Sequence, residues 1–233
     1  MYVLISLILA IAPAIYLVRY FYKLDVQKPE PRGLIIKMFL LGVLCTIPVA
    51  FLEQAVHQLK VLFDWWPPLY HFFMAFIVAA LCEESIKLLL VKVFVYRNDY
   101  FDEVMDGIVY TVVVSLGFAC LENILYVVDS NLGVALFRAF TAIPLHALCS
   151  GIMGYYVGMA KFSGSRELEK AQIRKGLWIA ILIHGFYDFP LLAMPDWGGI
   201  PALGIFPLLV CSYWFLKHKM KRAMVLDRIE GRS

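Results

Sequence analysis

Charged residues are scarce in this chain. Asp, Glu, Lys and Arg make up 17% of its 233 residues, while 62% are hydrophobic; soluble domains run at about 25% and about 45–50%. That shortage excludes an ordinary water-soluble domain. The five cysteines, Cys45, Cys82, Cys120, Cys149 and Cys211, are odd in number and form no Cys-x-x-Cys. Both features argue against a disulfide framework or a zinc ribbon, and the thiols read as small apolar packing residues. No basic residue precedes the first apolar block, as a secretory signal would require. Ala10-x-Ala12-x-Ala14 resembles a cleavage site, but Pro13 lies inside it. No His-Glu-x-x-His is present, and no internal repeat or low-complexity stretch stands out. A net charge of +3, distributed by loop, gives no indication of nucleic acid as a partner.

What is present is a series of apolar blocks of about 20 residues, each enough to cross a bilayer core of about 30 Å as a helix. They predict an all-α fold: a polytopic membrane helical bundle of about seven transmembrane helices. A single membrane-embedded domain is expected over residues 1–228, and Ile229–Ser233 resembles a protease-site scar left by recombinant expression. The crossings are expected at about 2–22, 34–52, 69–95, 104–128, 134–160, 176–194 and 200–216, with an outer loop over 53–68 carrying the aromatic anchor Trp65-Trp66. Basic residues gather in alternate loops: Arg19 to Lys37, then Lys92 and Arg97, then Lys161 to Lys175, then the tail from Lys217. The other loops hold only Lys60 and Arg138. The positive-inside rule then places the N-terminus outside and the C-terminus in the cytoplasm.

Against this background a few polar residues are out of place. Glu83 and Glu84 lie midway along the third span, Glu122 in the fourth, His146 in the fifth, and His184 and Asp188 in the sixth. A charge at the centre of a membrane helix costs about 2.5–3.5 kcal/mol even on lenient scales, so such groups face a bundle interior or a wet cavity and mark function by default. Glu83 and Lys87 are spaced i, i+4, which lets Lys87 hold one carboxylate while Glu84 points elsewhere. His184 and Asp188 share the same spacing, suited to a metal ligand pair or to a general base with its orienter. Taken singly, each feature has a structural reading: a Glu–Lys pair as glue, a histidine as an interhelical hydrogen bond, and Asp106 as a solvated helix start. The conjunction of these residues at one depth favours chemistry. An enzyme and an ion- or proton-coupled transporter both use buried Glu, His and Asp.

The same residues resemble the motifs of the PrsW family of bacterial membrane proteases. The resemblance is carried by Glu83-Glu84-x-x-Lys87, Asp102-Glu103-x-x-Asp106-Gly107-Ile-Val-Tyr110, Gly117-Phe118-Ala-x-x-Glu122-Asn123, His146-Ala147 with Gly151 and Gly154, and His184-Gly185-x-Tyr187-Asp188-Phe189. Relationship to the CAAX prenyl-protease and bacteriocin-immunity group is distant, and Glu122 stands where that group has a histidine, which argues against prenyl-protein processing. The resemblance implies an endopeptidase that makes the first cut in a single-pass anti-sigma factor, on its extracytoplasmic side, in a stress response. Peptide hydrolysis needs an activated water, a polarised carbonyl and a proton donor. Glu83 or Glu84 would be the base, with Glu83 preferred because Lys87 keeps it ionised. His146 and His184 would polarise or protonate the reacting group, Asp188 would orient His184, and Glu122 would complete the cage. Lys87, Asp106 and Asn123 are expected in support. A zinc version puts the ion on His146, His184 and a carboxylate such as Glu122, with a remaining Glu as base. The sequence leaves metal-free and zinc chemistry both open, with a thiol route through His146 and Cys149 as a remote third.

Overall fold

The structure is a computed structural model that describes residues 2–25, 28–63, 65–128 and 131–232. Among these residues the chain forms ten α-helices and no strand. They are α1 (Tyr2–Leu24), α2 (Arg32–His57), α3 (Pro67–Phe72), α4 (Cys82–Phe94), α5 (Val104–Val128), α6 (Leu132–Phe140), α7 (Ala142–Lys161), α8 (Arg166–Leu192), α9 (Met194–Trp197) and α10 (Ile205–Ile229). Among the described residues five stretches are long and apolar enough to cross a membrane: Leu4–Leu24, Arg32–His57, Val104–Val127, Leu132–Lys161 and Ile200–Ile229.

α5 is the axis of the bundle. Its apolar window is 94% buried, against 22% for the window in α1 and 17% for that in α10, so α5 is walled by protein while the outer helices keep an apolar face outward. Small residues make this possible. Gly42 of α2 lies against the Val114 carbonyl, and Gly117 lies against the Phe39 carbonyl, so α2 and α5 meet backbone to backbone. On the other side Gly107 and Gly154 do the same between α5 and α7: a Cβ on Gly154 would collide with the Gly107 carbonyl oxygen. Backbone there cannot yield as a flexible side chain would. Gly154→Ala is expected to cost about 1–3 kcal/mol through overpacking, read as a lower unfolding midpoint of the purified protein in detergent.

The expected third span is a continuous helical rod with a defect in it. α3 runs into a π-helical stretch, Phe73–Leu81, which runs into α4. π turns are rare and cluster at functional sites, since the extra residue re-aims the side chains beyond it. Here those side chains are Glu83 and Glu84, in the first turn of α4. Phe76 of the π stretch is stacked on Phe72 and meets the Phe186 ring edge-on, and its own ring fills the space a side chain at Gly185 would need. The expected fifth span is broken at Thr141 between α6 and α7. In an unbroken helix the Pro144 ring would clash with the carbonyl of Phe140. Thr141 seals the break by donating to the Phe137 carbonyl at 2.7 Å.

Helices also outrun the expected loops. α2 continues to His57, taking Glu53 into the helix. α8 starts at Arg166, where Ser165 caps it by accepting from the Leu168 N–H at 3.2 Å, with Glu167 and Glu169 in the first turn. α10 carries the basic tail as helix as far as Ile229. From there Asp227 reaches back to cap the start of α5, accepting from the N–H groups of Val104 and Met105 at 2.8 and 3.1 Å.

Candidate active site

Four helices bring the buried polar residues together. α4 supplies Glu83, Glu84 and Lys87, α5 supplies Glu122, α7 supplies His146, and α8 supplies His184 and Asp188. Glu83, Glu84, Lys87, His146 and His184 are all at most 3% exposed. Charges this deep persist only when paired, and each of them is.

The Lys87 ammonium stands at the point of convergence. It donates to Glu83 Oε2 at 3.0 Å, to Glu84 Oε1 at 2.8 Å and to His146 Nδ1 at 3.1 Å. It therefore holds both carboxylates; the expectation that Glu84 turns elsewhere is corrected by the i, i+3 contact, which the first turn of α4 permits as readily as i, i+4. Lysine has no acceptor, so His146 Nδ1 must accept, and the proton of a neutral ring lies on Nε2. That nitrogen donates to Glu122 Oε2 at 2.9 Å. The other Glu122 oxygen accepts from Arg138 Nη2 at 2.8 Å. His184 faces carboxylates on both sides, with Nδ1 3.0 Å from Glu84 Oε1 and Nε2 3.2 Å from Asp188 Oδ2, the arrangement of a doubly protonated ring. Ser150 completes the shell of Glu84 at 3.0 Å.

The two glutamates differ in access. Glu83 lines a cavity of about 640 Å³ whose polar wall also includes Glu53, Glu122, Arg138 and Asp188. Glu84 is fully buried and does not reach that wall. Glu83 Oε2 stands 3.9 Å from His146 Nδ1 and 4.0 Å from His184 Nε2, beyond hydrogen-bond range of either.

The donor set suits a metal. Glu83, Glu84, His146 and His184 offer ligand atoms all within 4.8 Å of one another, and a mixture of imidazole and carboxylate fits zinc and its neighbours. Glu122 lies outside that group. It holds the far nitrogen of His146, as Asp188 holds that of His184. Metal-binding histidines almost always carry such a partner on the other nitrogen. The charge balance points the same way. Four carboxylates (Glu83, Glu84, Glu122, Asp188) face two permanent cations, Lys87 and Arg138.

The remaining residues expected from the sequence divide between this site and the rest of the bundle. Asn123 Oδ1 accepts from Arg138 Nε at 2.6 Å, beside the cluster. Asp106 is not brought to it: 16 residues separate it from Glu122 on α5, roughly 24 Å at about 1.5 Å per residue. Cys149 Sγ lies 3.8 Å from Glu84 Oε1 and 3.6 Å from the His146 carbonyl, with no imidazole nitrogen as its partner. Sequence reasoning misses Glu53, Arg138 and Ser150. Glu53 and Arg138 read as residues of the outer loops, and Ser150 looks like any small residue in a helix.

The chain matches a family model described as "PrsW family intramembrane metalloprotease" over residues 30–215. It is 40% identical over 217 residues to Protease PrsW of Geobacillus kaustophilus, covering 91% of this chain and 89% of that one. It is 36% identical over 220 residues to Protease PrsW of Bacillus subtilis, covering 94% and 96%. Protease PrsW of Clostridioides difficile is 32% identical, with 82% and 80% covered. No solved structure matches the chain.

Proposed function

The chain belongs to the PrsW family of intramembrane metalloproteases, and from that membership we propose that it makes the first cut in a single-pass anti-sigma factor. The cut lies on the extracytoplasmic side of a bacterial plasma membrane, and a second intramembrane protease then frees an extracytoplasmic-function sigma factor. The observation that carries this reading is the buried Glu83–Glu84–His146–His184 group opening through Glu83 onto the 640 Å³ cavity. In this reading the 67–94 rod and α8 also cross the membrane. The rod is divided among α3, the π-helical stretch and α4, none of them long enough alone, and α8 carries His184 and Asp188 of the site. That makes seven crossings, with the N-terminus outside.

His146 and His184 through Nδ1, together with Glu84, would hold the metal: Glu84 Oε1 stands 3.0 Å from His184 Nδ1, and all three residues belong to the one group of converging donors. When bound, the metal supplies a Lewis acid that polarises the scissile carbonyl and acidifies water. Glu83 takes the proton of the attacking water and returns it to the leaving amine. Its place on the cavity wall gives it access that Glu84 lacks. Glu122 and Asp188 fix the two rings through Nε2, and Arg138 aims Glu122 by donating to its other oxygen. Lys87 holds the carboxylate pair in place by donating to both.

The test is reconstitution. Purified protein in liposomes, given an anti-sigma factor with its transmembrane helix, is expected to release the ectodomain. A strong chelator is expected to stop cleavage and added zinc to restore it. Cleavage indifferent to chelation would contradict the metal role. An intact anti-sigma factor beside a cleaved unrelated single-pass protein would contradict the substrate.

A further inference from the structure

We propose that the chain carries a second cation site, for a hard divalent ion of the Mg²⁺ or Ca²⁺ type, built from Asp25, Glu30, Glu103 and Asp106. It lies where the α1–α2 connection meets the start of α5, at the opposite end of α5 from the catalytic cluster.

All four carboxylates are buried, between 0% and 4% exposed. Asp25, Glu103 and Asp106 offer ligand oxygens within 4.8 Å of one another. Asp106 spends Oδ2 on the N–H groups of Asp102 and Glu103, at 2.8 and 2.6 Å. Its Oδ1, together with Asp25 Oδ2 and Glu103 Oε1, is buried and accepts from no N–H or hydroxyl donor; the neighbours within reach are other carboxyls, Glu103 beside Asp25 and Glu30 beside Asp106. Glu30 accepts from the Tyr110 hydroxyl and adjoins Asp106. Orphaned buried carboxylate oxygens are rare and costly; three in one place point to a missing partner.

No basic side chain supplies it. Among the described residues no ion pair reaches any of the four, in contrast to the catalytic cluster with Lys87 and Arg138. Lys28 stands at the rim, where it pairs with the exposed Asp102 at 3.2 Å. The donors are oxygens alone. That selects hard cations and separates this site from the imidazole-bearing one. Its occupant would tie the α1–α2 connection to the first turn of α5.

The experiment is a set of thermal unfolding curves of the full-length, metal-stripped protein in detergent, with EDTA, Mg²⁺ or Ca²⁺, and NaCl matched for ionic strength. Mg²⁺ or Ca²⁺ is expected to raise Tm by about 5 °C or more, and the better of the two identifies the ion. The shift is expected to persist in His184→Ala, which lacks the catalytic site, and to vanish in Asp25→Asn/Glu103→Gln. In EDTA that double variant is expected to melt above the wild type, because it buries less uncompensated charge. Should the double variant not fold, Glu103→Gln alone is read by the same two criteria. The proposal is overturned if neither divalent ion moves the wild-type Tm, if matched NaCl moves it as far, or if the neutralised variants keep the full shift.

Discussion

Replacing Glu83 by Gln is expected to lower kcat/KM for a cleavable transmembrane substrate by about 10³-fold, the scale of losing a general base. The reason lies in how the two adjacent glutamates are used. Glu83 is the one on the cavity wall, and an amide there cannot accept a proton from water. Folding should barely change, because Lys87 retains Glu84 at 2.8 Å and His146 at 3.1 Å. Glu84→Gln is expected to differ in kind. Glu84 binds Lys87, Ser150 and His184 at once, so its loss lowers both activity and the unfolding midpoint. The pair is therefore told apart by measuring cleavage and unfolding on the same samples. A Glu83→Gln enzyme with more than about a tenth of wild-type kcat/KM would remove Glu83 from the base role.

Replacing Lys87 by Met is expected to destabilise the bundle by about 3–5 kcal/mol, the cost of stripping the partner from buried charge. Lys87 is completely buried and two carboxylates depend on it. Its ammonium also lies 4.5 Å from the centre of the Phe118 ring, so no water stands ready to replace it on that side. The measurement is a denaturant midpoint in detergent. Adding Glu84→Gln to Lys87→Met should recover part of the loss, since it neutralises one of the stranded carboxylates. A single variant as stable as the wild type would show that the carboxylates are balanced by something other than Lys87.

Much of this site is legible in the sequence, for one physical reason: a charge inside an apolar run is conspicuous. Glu83, Glu84, Glu122, His146, His184 and Asp188 all stand out on that ground, and the structure brings all six into one network. Membership of a protease family then decides between enzyme and transporter, which buried charge alone does not. Charges near the ends of helices carry no such signal. Glu53 reads as the first residue of a loop and Arg138 as an outer-facing cation, yet both line the cavity. Asp106 stands in a motif with the others, but only three dimensions show that it belongs to a different cluster. Backbone irregularities are illegible for another reason. Hydrophobicity does not distinguish π from α hydrogen bonding, so Phe73–Leu81 reads as plain span. The break at Thr141 is hidden by apolar residues on both sides of Pro144.

The most direct test is the transition-metal content of the purified protein and its variants, measured beside cleavage of the same samples. One tightly held ion per chain is expected in the wild type and in Asp25→Asn. It should be lost together with activity in His146→Ala and His184→Ala, and retained without activity in Glu83→Gln. A fully active wild type free of transition metal, or His146→Ala and His184→Ala proteins that keep the ion, would contradict a metal centre on these residues.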